Sequence, residues 1–312
     1  MDFTDFKFRA SQCSKLLTGQ IELTEFQRQE IKDLIQEKTE GINANGNKVK
    51  WTQTKADKLE KLLLIDSGQL LPKTLTNELR AIHRAETHKR YFGFINKYVT
   101  KGTDEEDEAI TVYQAWRNLK GKRSFFVKNS ERFYTDYFTG EPDLTDNNTL
   151  IEVKEGYDVK CSWELETFPY PEDKLDPTYE CQNQVYMEGT GAESWVTAYV
   201  LVNASQDQIF REKQKYFYAY GMPEEGHHKY DKLIKKYREL EIRLIFDRKR
   251  FDILNPHATM EITPEEWEKE GYDIPLEDRV VEFESKRNEA FIENLKKRVI
   301  FSRKYLNNLN KK

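Results

Sequence analysis

The hydrophobic residues change their period along the chain, and this change constrains the fold more than any other feature of the sequence. Residues 26–38 and 55–65 carry apolar side chains at helical spacing, which predicts amphipathic helices. Residues 125–165 contain short runs rich in aromatic and β-branched residues between turn signals, and residues 194–202 (SWVTAYVLV) are the most strand-like run. Helical patterns return after residue 206. This order predicts an α/β fold with a central mixed β-sheet flanked by helices and a helical N-terminal portion.

The length of 312 residues is sufficient for one large domain with a substantial core. We expect a single domain over residues 1–312. It comprises a mainly helical portion over residues 1–100, a core over residues 101–205 and a helical C-terminal portion over residues 206–312. Within the last portion, the pattern of residues 277–309 predicts one or two amphipathic helices.

Composition excludes several classes of protein. Aromatic residues make up 13% of the chain and hydrophobic residues 38%, which is too many for a disordered chain. No run approaches the roughly 20 apolar residues of a membrane helix, and the first residues lack the basic and apolar pattern of a signal peptide. Cys13, Cys161 and Cys181 cannot all pair with one another, which fits a reducing compartment. We therefore expect a cytoplasmic protein with no membrane partner.

The charge is small in total but segregated along the chain. The sequence has 50 Lys and Arg against 55 Asp and Glu, a net charge of −5, which does not by itself indicate a nucleic-acid-binding protein. Residues 285–312 nevertheless hold nine Lys or Arg and two Glu, whereas residues 104–108 are five consecutive acids. Segregation of this kind leaves nucleic-acid binding open.

Two short segments concentrate the candidates for chemistry: residues 140–143 (Gly-Glu-Pro-Asp) and residues 158–160 (Asp-Val-Lys). In an extended strand, residues i and i+2 point to the same face, so Asp158 and Lys160 project together. If Asp143 lies on a paired strand, two carboxylates and one ammonium converge. Carboxylates bind hard divalent cations such as Mg2+, and a lysine can orient water and offset phosphate charge. These are the components of metal-assisted phosphodiester hydrolysis.

Neither segment is specific alone. The D-x-K pattern occurs by chance in many chains, and Gly-x-Pro-Asp is a common turn signal. The additional motifs that accompany them, in a particular order along the chain, increase their significance.

Four patches together resemble the PD-(D/E)XK nuclease superfamily and, within it, the lambda-exonuclease/YqaJ-like group of phage and bacterial recombination exonucleases. The first comprises residues 9–11 (Arg-Ala-Ser) and 15–19 (Lys-Leu-Leu-Thr-Gly). The second is a G-x3-E-x2-A-x3-[YF] pattern formed by Gly102, Glu106, Ala109 and Tyr113. The third is the pair of segments described above. The fourth is residues 179–187, which contain the superfamily's Q-x3-Y pattern at Gln182 and Tyr186. The resemblance covers about residues 8–203.

The resemblance implies a restriction-endonuclease-like core and a Mg2+-dependent exonuclease, with Mn2+ as an alternative cofactor. Asp143, Asp158 and Glu106 would hold the metal. Lys160 would position and help activate the attacking water, and Gln182 would support the water or the DNA strand. The substrate would be the ends of double-stranded DNA, in phage-type recombination or end processing in a bacterium or phage-infected host. The resemblance also permits a homo-oligomer and a single-strand annealing protein as partners.

The position of the catalytic pair has an alternative. Residues 152–154 (Glu-Val-Lys) also have the E-x-K form, and Glu152 lies nine residues after Asp143, the more usual family spacing. The sequence Lys-Cys-Ser-Trp at residues 160–163, however, matches the residues that commonly follow the catalytic lysine in the family, which argues against Glu152 and Lys154. We favour Asp158 and Lys160.

Other assignments also have alternatives. Glu105 and Glu108 compete with Glu106, although the spacing to Ala109 and Tyr113 selects Glu106. Gln184 either lies beside the site with Gln182 or belongs to a polar helix face. Two further functions stay open: an endonuclease or structure-specific nuclease with the same core, and a non-catalytic DNA-binding protein of the same fold.

Two aromatic residues follow the favoured lysine closely. Trp163 and Phe168 could stack on a base released from a frayed duplex, because every base offers a π-face to an aromatic ring. Ordinary core packing is the competing interpretation for both.

Overall fold

The structure, a computed structural model, describes residues 1–19, 22–67, 71–91, 102, 104–122, 124–146 and 155–310. The helices of this part of the chain are α1 (Cys13–Leu16), α2 (Glu25–Glu40), α3 (Gln53–Asp66), α4 (Lys73–His88), α5 (Glu106–Leu119), α6 (Pro177–Thr190), α7 (Gln206–Ala219), α8 (Tyr230–Leu244), α9 (Arg248–Leu254), α10 (Pro264–Glu270) and α11 (Glu289–Leu309). The strands are β1 (Phe8–Arg9), β2 (Phe126–Lys128), β3 (Phe133–Tyr134), β4 (Phe138–Gly140), β5 (Leu144–Asp146), β6 (Glu155–Ser162), β7 (Ser194–Leu201) and β8 (Val280–Lys286).

The first of two compact units contains both ends of the chain, Met1–Tyr91 and Glu289–Lys312. Its helices α2 and α3 share an apolar cluster that includes Leu34 and Leu62, and α11 packs against α4. The last helix therefore groups with the N-terminal helices rather than with the residues that precede it. The prediction of a single domain over residues 1–312 stays a prediction.

The second unit, Phe92–Asn288, contains a five-stranded sheet in the order β2-β5-β6-β7-β8. Strands β6 and β7 are parallel, and the other neighbouring pairs are antiparallel. A parallel pair requires a crossover connection, which α6 supplies between β6 and β7. The predicted mixed sheet is confirmed.

Helices cover both faces of this sheet, because the side chains of its central strands point alternately to one face and to the other, and apolar residues lie on both. On β6, Tyr157 and Val159 join a core cluster with Ala109 and Trp116 of α5. The opposite face of the sheet packs on α6, where the rings of Tyr186 and Trp195 lie 5.0 Å apart. Asp158 and Lys160 belong to this second face.

The prediction of only helices over residues 277–309 is wrong for its first part, because Val280–Lys286 is strand β8. Its side chains alternate between buried and more exposed, and it pairs with β7 from Val280 opposite Val200 to Lys286 opposite Ser194. The signal was present in the sequence VVEFESK, whose charged residues Glu282, Glu284 and Lys286 recur at every second position. The amphipathic pattern of α11 directly after it obscured this short run.

The rest of the second unit is helical and packs around its own apolar cluster. The cluster includes Ile209 of α7, Leu240 and Leu244 of α8, Phe251 of α9 and Trp267 of α10. Trp163 belongs to it and is 3% exposed, so ordinary packing is the correct interpretation for this residue.

Among the described residues, none of the helices combines the length and apolar character needed to cross a membrane.

Replacement of Gly156 by alanine is expected to lower the free energy of unfolding by about 1–3 kcal/mol, as overpacking of a core does. A Cβ at this position would lie 2.0 Å from Cζ3 of Trp195, whose side chain is fully buried and has no room to retreat. Urea denaturation measures the change. Gly102→Ala is the matched control, since among the described residues no atom outside Gly102 lies within 4 Å of a Cβ placed there. Equal stability of the two variants would contradict the prediction.

Candidate active site

The two aspartates predicted from sequence are held together by the pairing of β5 with β6. Leu144 of β5 lies opposite Tyr157 of β6, which places Asp143 beside Asp158. The backbone N–H of Asp143 donates to Oδ1 of Asp158 at 2.8 Å, and the backbone N–H of Val159 donates to Oδ2 of Asp143 at 3.3 Å. Each carboxylate is therefore oriented by a backbone group of the other strand.

Lys160 bridges the two carboxylates. Its Nζ lies 3.2 Å from Oδ2 of Asp143 and 3.2 Å from Oδ2 of Asp158. Asp158 and Lys160 are two residues apart on β6, so the period of the strand places both on one face. The predicted convergence of Asp143, Asp158 and Lys160 is what the structure shows.

Burial and charge shape the electrostatics of this cluster. Burial raises the pKa of Asp158 to about 7, and the negative charge of Asp143 acts in the same direction. Burial opposes the charge on Lys160, but the two carboxylates outweigh it and raise the pKa of Lys160 well above its ordinary value. With both carboxylates ionised, the cluster carries two negative charges against one positive charge.

The cluster fits a divalent cation by the chemistry of its donors. Asp143 and Asp158 turn carboxylate oxygens to the same point, and Mg2+ prefers oxygen ligands and is commonly held by one or two carboxylates with waters and phosphate oxygens. One ammonium leaves a net negative charge that such a cation would offset. Asp143 and Asp158 are therefore the residues that could hold a metal.

Gln182 reaches the cluster from α6. This helix begins at Pro177 after an Asp176 cap, whose Oδ1 accepts from the backbone N–H of Thr178 at 2.7 Å. The Nε2 of Gln182 lies 3.5 Å from Oδ2 of Asp158 and donates to the hydroxyl of Tyr186 at 2.7 Å. The structure thus brings Gln182 to the buried carboxylate.

Gln184 points away from the cluster. Its Nε2 donates to Oε1 of Glu180 at 2.9 Å and to the carbonyl of Lys286 at 2.7 Å, and its Oε1 accepts from the backbone N–H of Asn288 at 2.8 Å. Of the two interpretations, the polar helix face is the one that these contacts support. Residues 182 and 184 lie about 200° apart around a helix, so they cannot both face the site.

Glu106 lies in the first turn of α5 and forms an ion pair with Lys128, 3.1 Å from Nζ to Oε2. Its neighbour Glu108 pairs instead with Arg250 at 2.7 Å. Among the described residues, no group of three or more His, Cys, Asp or Glu side chains is arranged to hold a metal ion. Glu106 is therefore not gathered with Asp143 and Asp158 in this structure, and its role as a metal ligand stays a prediction.

The alternative pair Glu152 and Lys154 lies outside the described residues. The cluster around Asp158 and Lys160 supports the favoured pair, but it does not test the alternative one.

Two tyrosines of α6 contribute contacts that the motif does not specify. Nζ of Lys160 lies 5.3 Å from the ring centroid of Tyr179, a cation–π contact. Burial raises the pKa of Tyr186, whose hydroxyl donates to the carbonyl of Glu141 at 3.2 Å. The signal available in the sequence is their spacing of three and four residues from Gln182, which places all three on one side of a helix.

Comparison with known proteins bears on the fold. No family model and no curated protein matches this chain. Among solved structures, a phage-related exonuclease from Haemophilus somnus 129PT matches with a TM-score of 0.57 and 18% identity, covering 98% of this chain and 96% of that chain. An alkaline exonuclease from Laribacter hongkongensis matches with a TM-score of 0.46 and 12% identity, covering 97% of this chain and 89% of that chain.

The likeness to the Haemophilus protein extends over nearly the whole of both chains, so the two share a fold. The predicted α/β fold with a restriction-endonuclease-like core is confirmed. At this identity the likeness establishes the fold alone, because one fold can support different activities.

Proposed function

We propose that this protein is a metal-dependent DNA exonuclease that hydrolyses phosphodiester bonds at the ends of double-stranded DNA, in phage-type recombination or end processing. The observation that carries the proposal is the cluster in which Nζ of Lys160 lies 3.2 Å from both Asp143 and Asp158. Its occurrence on the fold of a phage-related exonuclease supports the choice of substrate.

Mg2+, or Mn2+, is the cofactor that the donor set favours, with Asp143 and Asp158 as ligands and Glu106 as the third candidate. A bound divalent cation supplies Lewis-acid polarisation of a phosphate oxygen and lowers the pKa of a bound water.

The remaining chemistry belongs to the side chains around the carboxylates. Lys160 is a charged donor held by both aspartates, so it can orient an attacking water and offset negative charge that develops on the phosphate. Gln182, whose Nε2 lies 3.5 Å from Oδ2 of Asp158, helps to orient that carboxylate. The ring of Tyr179 restricts the position of the Lys160 ammonium.

We further propose that the protein acts in the cytoplasm of a bacterium or a phage-infected host. There it would bind the ends of DNA molecules. A homo-oligomer and an interaction with a single-strand annealing protein are compatible with this role.

The test is degradation of an end-labelled linear duplex, with closed circular DNA of the same sequence as the comparison. Reactions contain Mg2+, Mn2+ or EDTA. We expect loss of the linear duplex alone, only with metal. Cleavage of the circle would contradict the exonuclease and favour an endonuclease, whereas no cleavage with either metal would favour a non-catalytic DNA-binding protein.

Variants of the two glutamines of α6 are expected to lose different properties, catalytic activity in one case and folding stability in the other. Gln182→Ala is expected to lower kcat for DNA cleavage by about 10–100-fold, as loss of a group that orients a metal ligand does. Gln184→Ala is expected to leave kcat unchanged and to lower the free energy of unfolding by about 1–3 kcal/mol, because the buried amide loses its three hydrogen bonds to Glu180, Lys286 and Asn288. Single-turnover cleavage and urea denaturation of both variants check the prediction, which fails if the two effects are exchanged.

A further inference from the structure

A cleft of about 790 Å3 opens in the second unit directly beyond the strand that carries Asp158 and Lys160. Its lining comes from the connection between β6 and α6, including Phe168 and Tyr170, and from α7, α8, Phe246 and residues 271–274. Leu165, the first lining residue, is five positions after Lys160, which limits the distance between their Cα atoms to about 18 Å. At least this edge of the cleft therefore lies within about 18 Å of the lysine of the proposed catalytic cluster.

Five of the fifteen residues that line this cleft are aromatic: Phe168, Tyr170, Tyr216, Phe246 and Tyr272. Tyr170 is 69% exposed, whereas the ring of Tyr272 is anchored edge-on against Trp267 at a centroid distance of 5.2 Å. An exposed ring and an anchored ring in the lining of one cleft are surfaces on which a planar group can stack.

The exposed ring of Tyr170 is presented by a stiff segment. Pro169 and Pro171 flank it, and each proline ring restricts its own φ and the backbone of the residue before it. The backbone N–H of Tyr170 donates to Oδ2 of Asp173 at 2.8 Å, and the N–H of Asp173 donates back to the carbonyl of Tyr170 at 3.0 Å. A segment whose backbone is already fixed loses little conformational freedom on binding, which favours affinity.

The charges of the lining favour bases over phosphates. Lys236 pairs with Glu239, and Nε of Arg243 lies 3.4 Å from Oε2 of Glu164. Two cations, Lys236 and Arg243, face three acids in the lining, Glu166, Glu239 and Asp273. A phosphate backbone would find no excess of positive charge there, whereas stacking on an aromatic ring does not depend on charge.

We infer that this cleft binds unpaired nucleobases of a DNA strand next to the catalytic cluster. The inference rests on the proposed function for the identity of the ligand, since an exonuclease that attacks duplex ends works beside unpaired nucleotides. Phe168 and Tyr170 stack on the bases, and the phosphates stay outside the cleft.

The test measures binding without cleavage. A fluorescently labelled short oligothymidylate is titrated with the full chain in EDTA, and anisotropy reports Kd. Tyr170→Ala and Phe168→Ala are each expected to raise Kd by about five- to hundredfold, the range for loss of one stacked base, and Tyr170→Phe is expected to retain wild-type affinity. The control is Tyr218→Ala, which removes a tyrosine of α7 that is 62% exposed and does not line the cleft.

Two further measurements identify the contact. The ratio of Kd between Tyr170→Ala and the wild type is expected to be the same at about 50 and 200 mM salt, because stacking releases no counterions. An oligonucleotide of abasic sites is expected to bind both proteins equally. Unchanged Kd in both alanine variants, an equal loss in Tyr218→Ala, or an equal loss with the abasic probe would overturn the inference. Failure of the wild type to cleave linear duplex in Mg2+ would overturn the exonuclease proposal instead, because the binding assay contains no metal.

Discussion

Lys160→Ala is expected to lower kcat for cleavage of linear DNA by about 10²–10⁴-fold, the range for loss of a positioned proton-transfer or charge-stabilising group. The side chain is the cation that lies 3.2 Å from both carboxylates of the cluster. Without it, the two carboxylates lose their shared partner, and in the proposed reaction the attacking water loses a charged donor. Single-turnover cleavage at saturating Mg2+ measures the effect on the chemical step.

Lys154→Ala is the control for this variant, because it removes the lysine of the alternative E-x-K pair. We expect Lys154→Ala to retain activity close to that of the wild type. If Lys154→Ala loses activity and Lys160→Ala keeps it, the catalytic pair is Glu152 and Lys154 rather than Asp158 and Lys160. Circular dichroism of both variants separates a loss of chemistry from a loss of folding.

Asp158→Asn is expected to abolish the stabilisation of the protein by Mg2+ together with its cleavage activity. A metal that binds only the folded chain stabilises it by about 2.7 kcal/mol at a concentration of 100 times its Kd. Asparagine keeps the shape of the side chain, but it removes the negative charge that a hard cation requires from this buried position. The measurement is the difference in Tm between Mg2+ and EDTA for each variant, so that any change in intrinsic stability cancels.

Asp107→Asn serves as the matched control for Asp158→Asn, since it removes a carboxylate from α5 whose side chain is 85% exposed. It should retain both the Mg2+-dependent rise in Tm and the cleavage activity. Glu106→Gln then tests the third candidate ligand. Loss of the Mg2+ effect in Glu106→Gln would show that Glu106 exchanges Lys128 for the metal, whereas a wild-type response would remove it from the site. An undiminished response of Asp158→Asn would contradict the metal site itself.

Much of the site follows from local sequence. Asp158 and Lys160 share a face because side chains alternate along a strand, whatever the rest of the fold. The Asp176-Pro177 start of α6 and the four-residue spacing of Gln182 and Tyr186 likewise depend only on helix geometry. These features could be predicted because each depends on residues a few positions apart.

Other features depend on which segments meet, and local patterns do not contain that information. Whether Gln182 or Gln184 faces the carboxylates depended on the rotation of α6 against the sheet. The ion pair of Glu106 with Lys128 likewise depends on the position of β2, which brings Lys128 to the first turn of α5. Trp163 and Phe168 are equally aromatic, yet one lies in the core and the other lines the cleft.

The sequence by itself determined the α/β class, the mixed sheet, and the strand that presents Asp158 with Lys160, because hydrophobic period and turn residues act over short distances. Only the tertiary structure decided that Asp143 meets them, since that contact depends on the register of β5 against β6 across 15 residues of chain. It also decided that Val280–Lys286 is the last strand of the sheet and that α11 packs with the N-terminal helices. Burial of apolar surface between distant segments selects such pairings, and it becomes defined only when the whole chain has folded.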